Sequence, residues 1–154
     1  MKSPNERGFV LIAMSISMLV LLAAIGLAFD FGRVYIARNE AQIFTDAAAL
    51  TAAQKLDGTG EGVARAREAA VKLPMRWNLG TQEFSNVIVE FGHASNGDPV
   101  WERDPKDAAA ITMTRVVVPS NSIEISFLRA VGGPKSMTVP AASIASTNPV
   151  RLTQ

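Results

Sequence analysis

From Phe9 to Phe29 the chain carries no charged side chain: FVLIAMSISMLVLLAAIGLAF. Wound as an α-helix at ~1.5 Å per residue, this run is about 31 Å long, close to the ~30 Å hydrocarbon core of a bilayer. It reads as a membrane-spanning helix over residues 9–29, with a short tail at 1–8 and one water-facing domain at 30–154. That remainder suffices for a single modest core. The rival reading is a signal peptide, which has a shorter apolar stretch of ~7–15 residues and a small-residue cleavage site. Gly26 and Ala28, just before Phe29, would supply such a site, releasing an exported periplasmic or secreted binding domain by cleavage near Ala28. The length of the run and the helical pattern beyond it favour a retained anchor.

Lys2 and Arg7 precede the run, whereas Arg33 and Arg38 follow it mixed with Asp30, Glu40 and Asp46. The short first flank therefore favours a cytoplasmic amino terminus, with everything after Asp30 on the far side, periplasmic or extracellular. Within the run Ala13 and Ser17 stand four apart, as do Ala24 and Ala28. Such spacing lets helices approach closely in lipid, although alanine is also simply common in membrane helices.

The helical pattern continues past the apolar run. No proline interrupts Phe31–Leu56, and Gly32 is its only glycine. Val34, Ala37, Ala41, Phe44 and Ala48 form one stripe at helical spacing, and Ile36, Ile43, Ala47 and Leu50 a second beside it. Arg38, Asn39, Gln42, Thr45 and Asp46 fill the remaining side. So wide an apolar side needs covering by the chain's own domain, by a neighbouring subunit, or by both. Gly58 is a suitable stop, and a second helix follows, with Thr59 as N-cap and Pro74 as terminator. Val63, Ala66, Ala70 and Leu73 give it an apolar face, and Glu61–Arg65 and Glu68–Lys72 are acid-first i, i+4 pairs.

The second half reads as strands. Val87, Val89 and Phe91 alternate with polar or exposed positions, Ala110–Val118 is rich in Ile, Thr and Val, and Ser122–Phe127 alternates again before Gly132-Gly133-Pro134. Ser136–Ser146 is a last extended segment in which Pro140 marks an edge or bulge. Residues 92–107, dense in Gly, Asn, Asp and Pro, read as a long loop. The expected fold class is α+β: a transmembrane helix continuing into a long amphipathic helix to about residue 56, a short second helix, then a small antiparallel sheet of three or four strands.

Chemistry is hard to find. His93 is the only histidine and there is no cysteine, so neither a Ser/His/Asp nor a Cys/His arrangement stands out and disulfides are excluded. No glycine-rich phosphate loop occurs, and no catalytic residue, cofactor or metal is expected. Asp98, Glu102, Asp104 and Asp107, with Asn96, gather in the loop, but Arg103 and Lys106 lie among them and the spacing is not that of an EF-hand. An envelope-bound module binding calcium there is the third reading; a solvated loop is the plainer one. Trp77 and Trp101 read as packing anchors. A net charge of +1 with interspersed signs leaves no footprint for nucleic acid.

The segment Arg7–Leu56 resembles the amino-terminal part of Tad (tight adherence) pilus-assembly proteins of the TadE/TadG-like group. The resemblance rests on Arg7-Gly8 before the apolar run and on Asp30, Gly32 and Arg33 just after it. It continues with Tyr35 and Arg38 and with the Asp-Ala-Ala-Ala-Leu block at Asp46–Leu50. Downstream, Ala110–Val118 and FLRAVGG…MTVPAASIAST (Phe127–Thr147) are similar to the TadG-like region more loosely. The resemblance implies a non-enzymatic, single-pass protein of the bacterial inner membrane, pseudopilin-like or a minor assembly component. Its partners would be the lipid bilayer, other pilus-assembly or secretion-complex proteins and, in one version, further copies of itself. Pilin-type relatives are cut after a glycine, with glutamate five residues into the mature chain. Here the candidate site is Gly8–Phe9, and the corresponding position is Ala13. TadG-like members are commonly read as uncleaved anchors.

Overall fold

The computed structural model describes residues 4–95 and 98–147, with side chains from Gly8 onward; Lys2 and Asn96 lie outside the described residues. Helix α1 runs unbroken from Pro4 to Ala53, 50 residues or ~75 Å of helix. From Gly8 to Ile25 it stands bare, and it is long and apolar enough to cross a membrane. It ends a few residues short of the expected Leu56: Leu56 N bonds back to Ala53 O at 3.2 Å, and Gly58 takes φ +80° at the reversal. Helix α2 (Gly60–Val71) starts as expected, with the Thr59 side chain accepting from the Gly62 N–H. The Lys72–Glu68 and Arg65–Glu61 pairs lie on its surface at 2.6 and 3.7 Å.

Among the described residues eight strands follow: β1 (Arg76–Trp77), β2 (Gln82–Glu83), β3 (Ile88–Ser95), β4 (Asp98–Glu102), β5 (Met113–Val118), β6 (Ser122–Glu124), β7 (Ser136–Thr138) and β8 (Ala141–Ser146). A 3-10 turn at Ala108–Ala110 precedes β5, and a four-residue helix α3 (Phe127–Ala130) separates β6 from β7. The main sheet is antiparallel in the order β4-β3-β5-β8, and β1-β2 and β6-β7 are small ribbons. This is the expected α+β arrangement, with the sheet laid against α1.

Alternation decides which face packs. Along β5, Thr114, Val116 and Val118 are buried while Met113, Arg115 and Val117 are not; along β8, Ala141 and Ser143 are buried and Ala142 and Ile144 are exposed. The buried set meets Ala37, Ala41, Phe44, Ala48, Ala49 and Ala52 of α1. Alanine leaves the helix backbone close to the sheet, close enough for the Thr114 hydroxyl to donate to the Ala49 carbonyl at 2.8 Å. Phe44 fills the space at one end, stacked on Phe84 at 4.0 Å, with Trp77 beyond it. Trp77 also donates from Nε1 to the Glu83 carbonyl, so it is a packing anchor.

Several expectations are corrected. Residues 92–107 are not one long loop: β3 runs on to Ser95 and turns back as β4, paired through Ser95↔Asp98. Trp101 packs across Gly92, where an added Cβ would fall 2.7 Å from the indole, and Arg115 covers the same ring at 5.2 Å. His93 accordingly sits within β3 opposite Val100 rather than in a loop. The strand expected at Ser122–Phe127 stops at Glu124, and Phe127 opens α3. The segment Ser136–Ser146 is two strands in different sheets, split at Val139-Pro140 where proline cannot donate to a ladder. Ala110 belongs to the 3-10 turn, so β5 starts later than expected.

Candidate functional site

The buried line of α1 can be followed from the sheet-bearing end down into the apolar run: Ala48, Phe44, Ala41, Ala37, Asp30 and Gly26 are all buried, at helical spacing. Asp30 is the telling member, because it stands one residue past the uncharged run and is only 3% exposed. Its carboxylate caps α3 from across the molecule. Oδ2 accepts from the N–H groups of Leu128 at 2.7 Å and Phe127 at 2.8 Å, and Oδ1 from Ser126 N at 3.2 Å. Ser126 occupies the N-cap position but makes no side-chain cap of its own, so the first-turn donors of α3 depend on Asp30. Burial alone would raise the Asp30 pKa; the three N–H donors, Leu128 foremost, and the Arg33 charge outweigh it and hold the carboxyl below its ordinary value.

One turn deeper, the Phe127 side chain packs directly on Gly26. A Cβ at Gly26 would sit 2.5 Å from a ring carbon, so only glycine admits this contact without a shift. Phe29 meets the same ring edge-on at 5.8 Å. The other end of α3 is closed by Gly132 at φ +90°, with Gly133 N bonded to Leu128 O at 2.8 Å, a glycine-terminated helix end.

A second polar junction ties α1 to β8. Ser143 Oγ lies 2.8 Å from Thr45 Oγ1, accepts from Gln42 Nε2 at 2.9 Å and donates to Asp46 Oδ1. Thr45 is therefore fully buried rather than on a solvated side, because Ser143 gives its hydroxyl a partner. Asp46 also accepts from Gln42 Nε2 at 3.0 Å.

The sequence motif thus divides. Asp30 and Asp46 hold the domain to α1, and Arg33 reaches Glu124 O at 3.5 Å and Asn78 Oδ1 at 3.4 Å. Gly32 has nothing within 4 Å of where a Cβ would stand, and Tyr35 and Arg38 are exposed, so the fold itself does not account for these three. Ala13, Ser17, Ala24 and Ala28 lie along the bare half of α1, all exposed, as are Gly8 and Phe9. Sequence reasoning missed Gly26 as a packing position and missed α3 altogether; the Gly132-Gly133 pair after FLRAV was the available signal.

The large residues of the second stripe of α1 are left uncovered, while its Ala47 is half-buried. Ile36, Ile43 and Leu50 are 40%, 56% and 55% exposed, spaced by seven residues, with Phe29 one heptad before them. They lie ~100° or more around the helix from the alanine line.

Elsewhere among the described residues no reactive constellation forms. Asp104 pairs with Arg67 at 2.8 Å, Asp107 caps the 3-10 turn, and Asp98 and Glu102 lie in β4. Among the described residues no three of His, Cys, Asp and Glu converge as metal ligands. A cleft of about 560 Å³ between α2, β2 and Phe44 is walled mainly by Val71, Leu73, Met75, Phe84 and Val87 and brings no nucleophile against a base.

Residues 8–55 match the family described as "Putative Flp pilus-assembly TadE/G-like". The match covers the whole apolar run, Asp30 and the alanine face, which is the part of the chain that the resemblance of the motif residues identified. Comparison with curated proteins and with solved structures returned no significant match.

Proposed function

With a TadE/G-like segment at residues 8–55 as the premise, we propose that the chain is a non-enzymatic, membrane-anchored component of Tad pilus assembly. Residues 9–29 cross the inner membrane, the amino terminus is cytoplasmic, and residues 30–154 lie outside as a head carried on the continuation of the same helix. The protein works by contact: the head holds one face of α1 and leaves the other for a helix of another pilus-assembly subunit. The observation that carries this reading is the uncovered heptad stripe of Ile36, Ile43 and Leu50, on a helix whose neighbouring face is fully packed. Large apolar residues repeating every seven positions are what a partner helix engages as knobs into holes.

The seat of Phe127 on Gly26 supports retention of the anchor. A segment removed near Ala28 would take with it a residue against which the head packs. Uncleaved Gly8–Phe9 is the corresponding expectation at the other end, and Gly8→Ala should leave apparent mass and assembly unchanged.

The test is Ile43→Glu in cells that build these pili. The account expects normal protein abundance with pilus assembly lost. Assembly at the unsubstituted level, with Ile36→Glu and Leu50→Glu equally silent, would remove the stripe from the mechanism.

A further inference from the structure

We infer that the α3 corner of the head is itself a membrane-contact element, seated in the outer boundary of the same bilayer that α1 crosses. The inference rests on the retained-anchor reading. Its geometric basis is the contact between Phe127 and Gly26, which lies inside the uncharged run with Leu27, Ala28 and Phe29 still to follow. At ~1.5 Å per residue, the ring is therefore about 4.5 Å below the last apolar residue of the span. A head merely perched above the membrane would meet α1 only after Asp30.

The side chains around that contact suit the boundary. Phe127 is still 48% exposed after packing on Gly26, and Val131, four residues on and on the same side of the helical turn, is 64% exposed. Phe29 stands exposed beside them on α1, edge-on to the Phe127 ring. Together they form an apolar patch continuous with the lipid-facing surface of the span, so lipid is the occupant that continuity selects. Arg129 and Lys135 border the patch, exposed and without ion pairs among the described residues, where phospholipid phosphates would lie. Asp30 is withdrawn from the boundary by its three bonds to α3, and Glu124, an exposed acid, lines the same cleft as Arg129 and Lys135, so that among the described residues two basic side chains face one free acid there. A clamped, buried carboxylate, bare aromatic rings and free basic side chains are the composition of a surface that lies in the interfacial layer.

The absence of cysteine makes a direct test simple. Single-cysteine variants of the full chain, Val131→Cys, Ile16→Cys and Val100→Cys, are labelled with an environment-sensitive fluorophore. They are then placed in phosphatidylethanolamine–phosphatidylglycerol vesicles with and without brominated acyl chains. Ile16 lies mid-span and Val100 on β4 of the head. The expected result is quenching by brominated lipid at positions 16 and 131 at least twofold stronger than at 100, with blue-shifted emission at 131. Ala130→Cys, at a second exposed site of the corner, should behave as 131 does. Water-like emission at 131 and 130 with position 16 quenched would overturn the inference and leave the anchor standing. Blue-shifted but unquenched emission at 131 would also overturn it, in favour of a protein neighbour. Loss of quenching at 16 would bring down the anchor and the inference with it.

Discussion

Between Val34 and Leu50 the long helix has two apolar faces of opposite construction. One is built from Ala37, Ala41, Ala48 and Ala49 around a single Phe44, and it is dry; the other is built from Ile36, Ile43 and Leu50, and it is bare. By apolar area alone the second face is the one that should be buried. What buries the first is shape, because small side chains let the β5–β8 sheet come close enough for Thr114 and Ser143 to bond to the helix. Burial in this protein follows how near the backbone can approach, and the larger side chains are left bare, the face to which the proposed function assigns a partner helix.

That contrast can be broken first at Phe44. Phe44→Ala should cost ~3–5 kcal/mol, since it empties the stack with Phe84 and removes the one large filler of the alanine face. Denaturant unfolding in detergent, followed by Trp77 fluorescence, measures it. The converse change, Ala41→Leu, adds volume where the sheet leaves none and should cost ~1–3 kcal/mol by the same measurement. Ser143→Ala removes one hydroxyl from the Gln42–Thr45–Asp46 junction and should cost about 0.5–1.5 kcal/mol. Ile43→Ser, on the bare face, should stay within ~0.5 kcal/mol of the unsubstituted chain while impairing assembly. If Ile43→Ser proved as destabilising as Ala41→Leu, the two faces would not differ in the way described.

The lower end of the buried line adds a pH prediction. Because the folded-state pKa of Asp30 is depressed, its contribution to holding α3 is complete above the ordinary value of 3.8 and is lost as pH falls through the lower folded value. Limited proteolysis of the 126–135 segment should therefore rise only in strong acid. Asp30→Asn should be susceptible already at neutral pH and show no acid limb. Equal protection of the variant at neutral pH would mean that α3 does not depend on this carboxylate.

Much of this organisation could be read in the chain itself. Both apolar stripes of α1, the Thr59 cap and the alternating segments at Val87–Phe91 and Ala110–Val118 are local patterns, and local patterns survive folding. The β3–β4 pairing is not legible because the acids and prolines of residues 98–107 read as loop. The two-residue ribbons β1 and β2 are too short to carry any periodicity. What no local pattern contained was pairing over long separations. Asp30 meets partners 96 to 98 residues later, and Thr45 becomes a core residue only because Ser143 arrives beside it. Gly26 reads in the sequence as a small residue of a possible cleavage site, and its role as the seat of Phe127, 101 residues on, lies in no local pattern.

The most direct test of the account is a cysteine accessibility scan from Ile36 to Leu50 of α1 in intact, piliated cells and in cells lacking the other pilus-assembly proteins. The account predicts that positions 36, 43 and 50 are protected from a polar thiol reagent in the first cells and reactive in the second. Exposed Arg38 and Asn39 should react in both. Full reactivity of 36, 43 and 50 in piliated cells would contradict it, because the bare face of the helix would then have no partner.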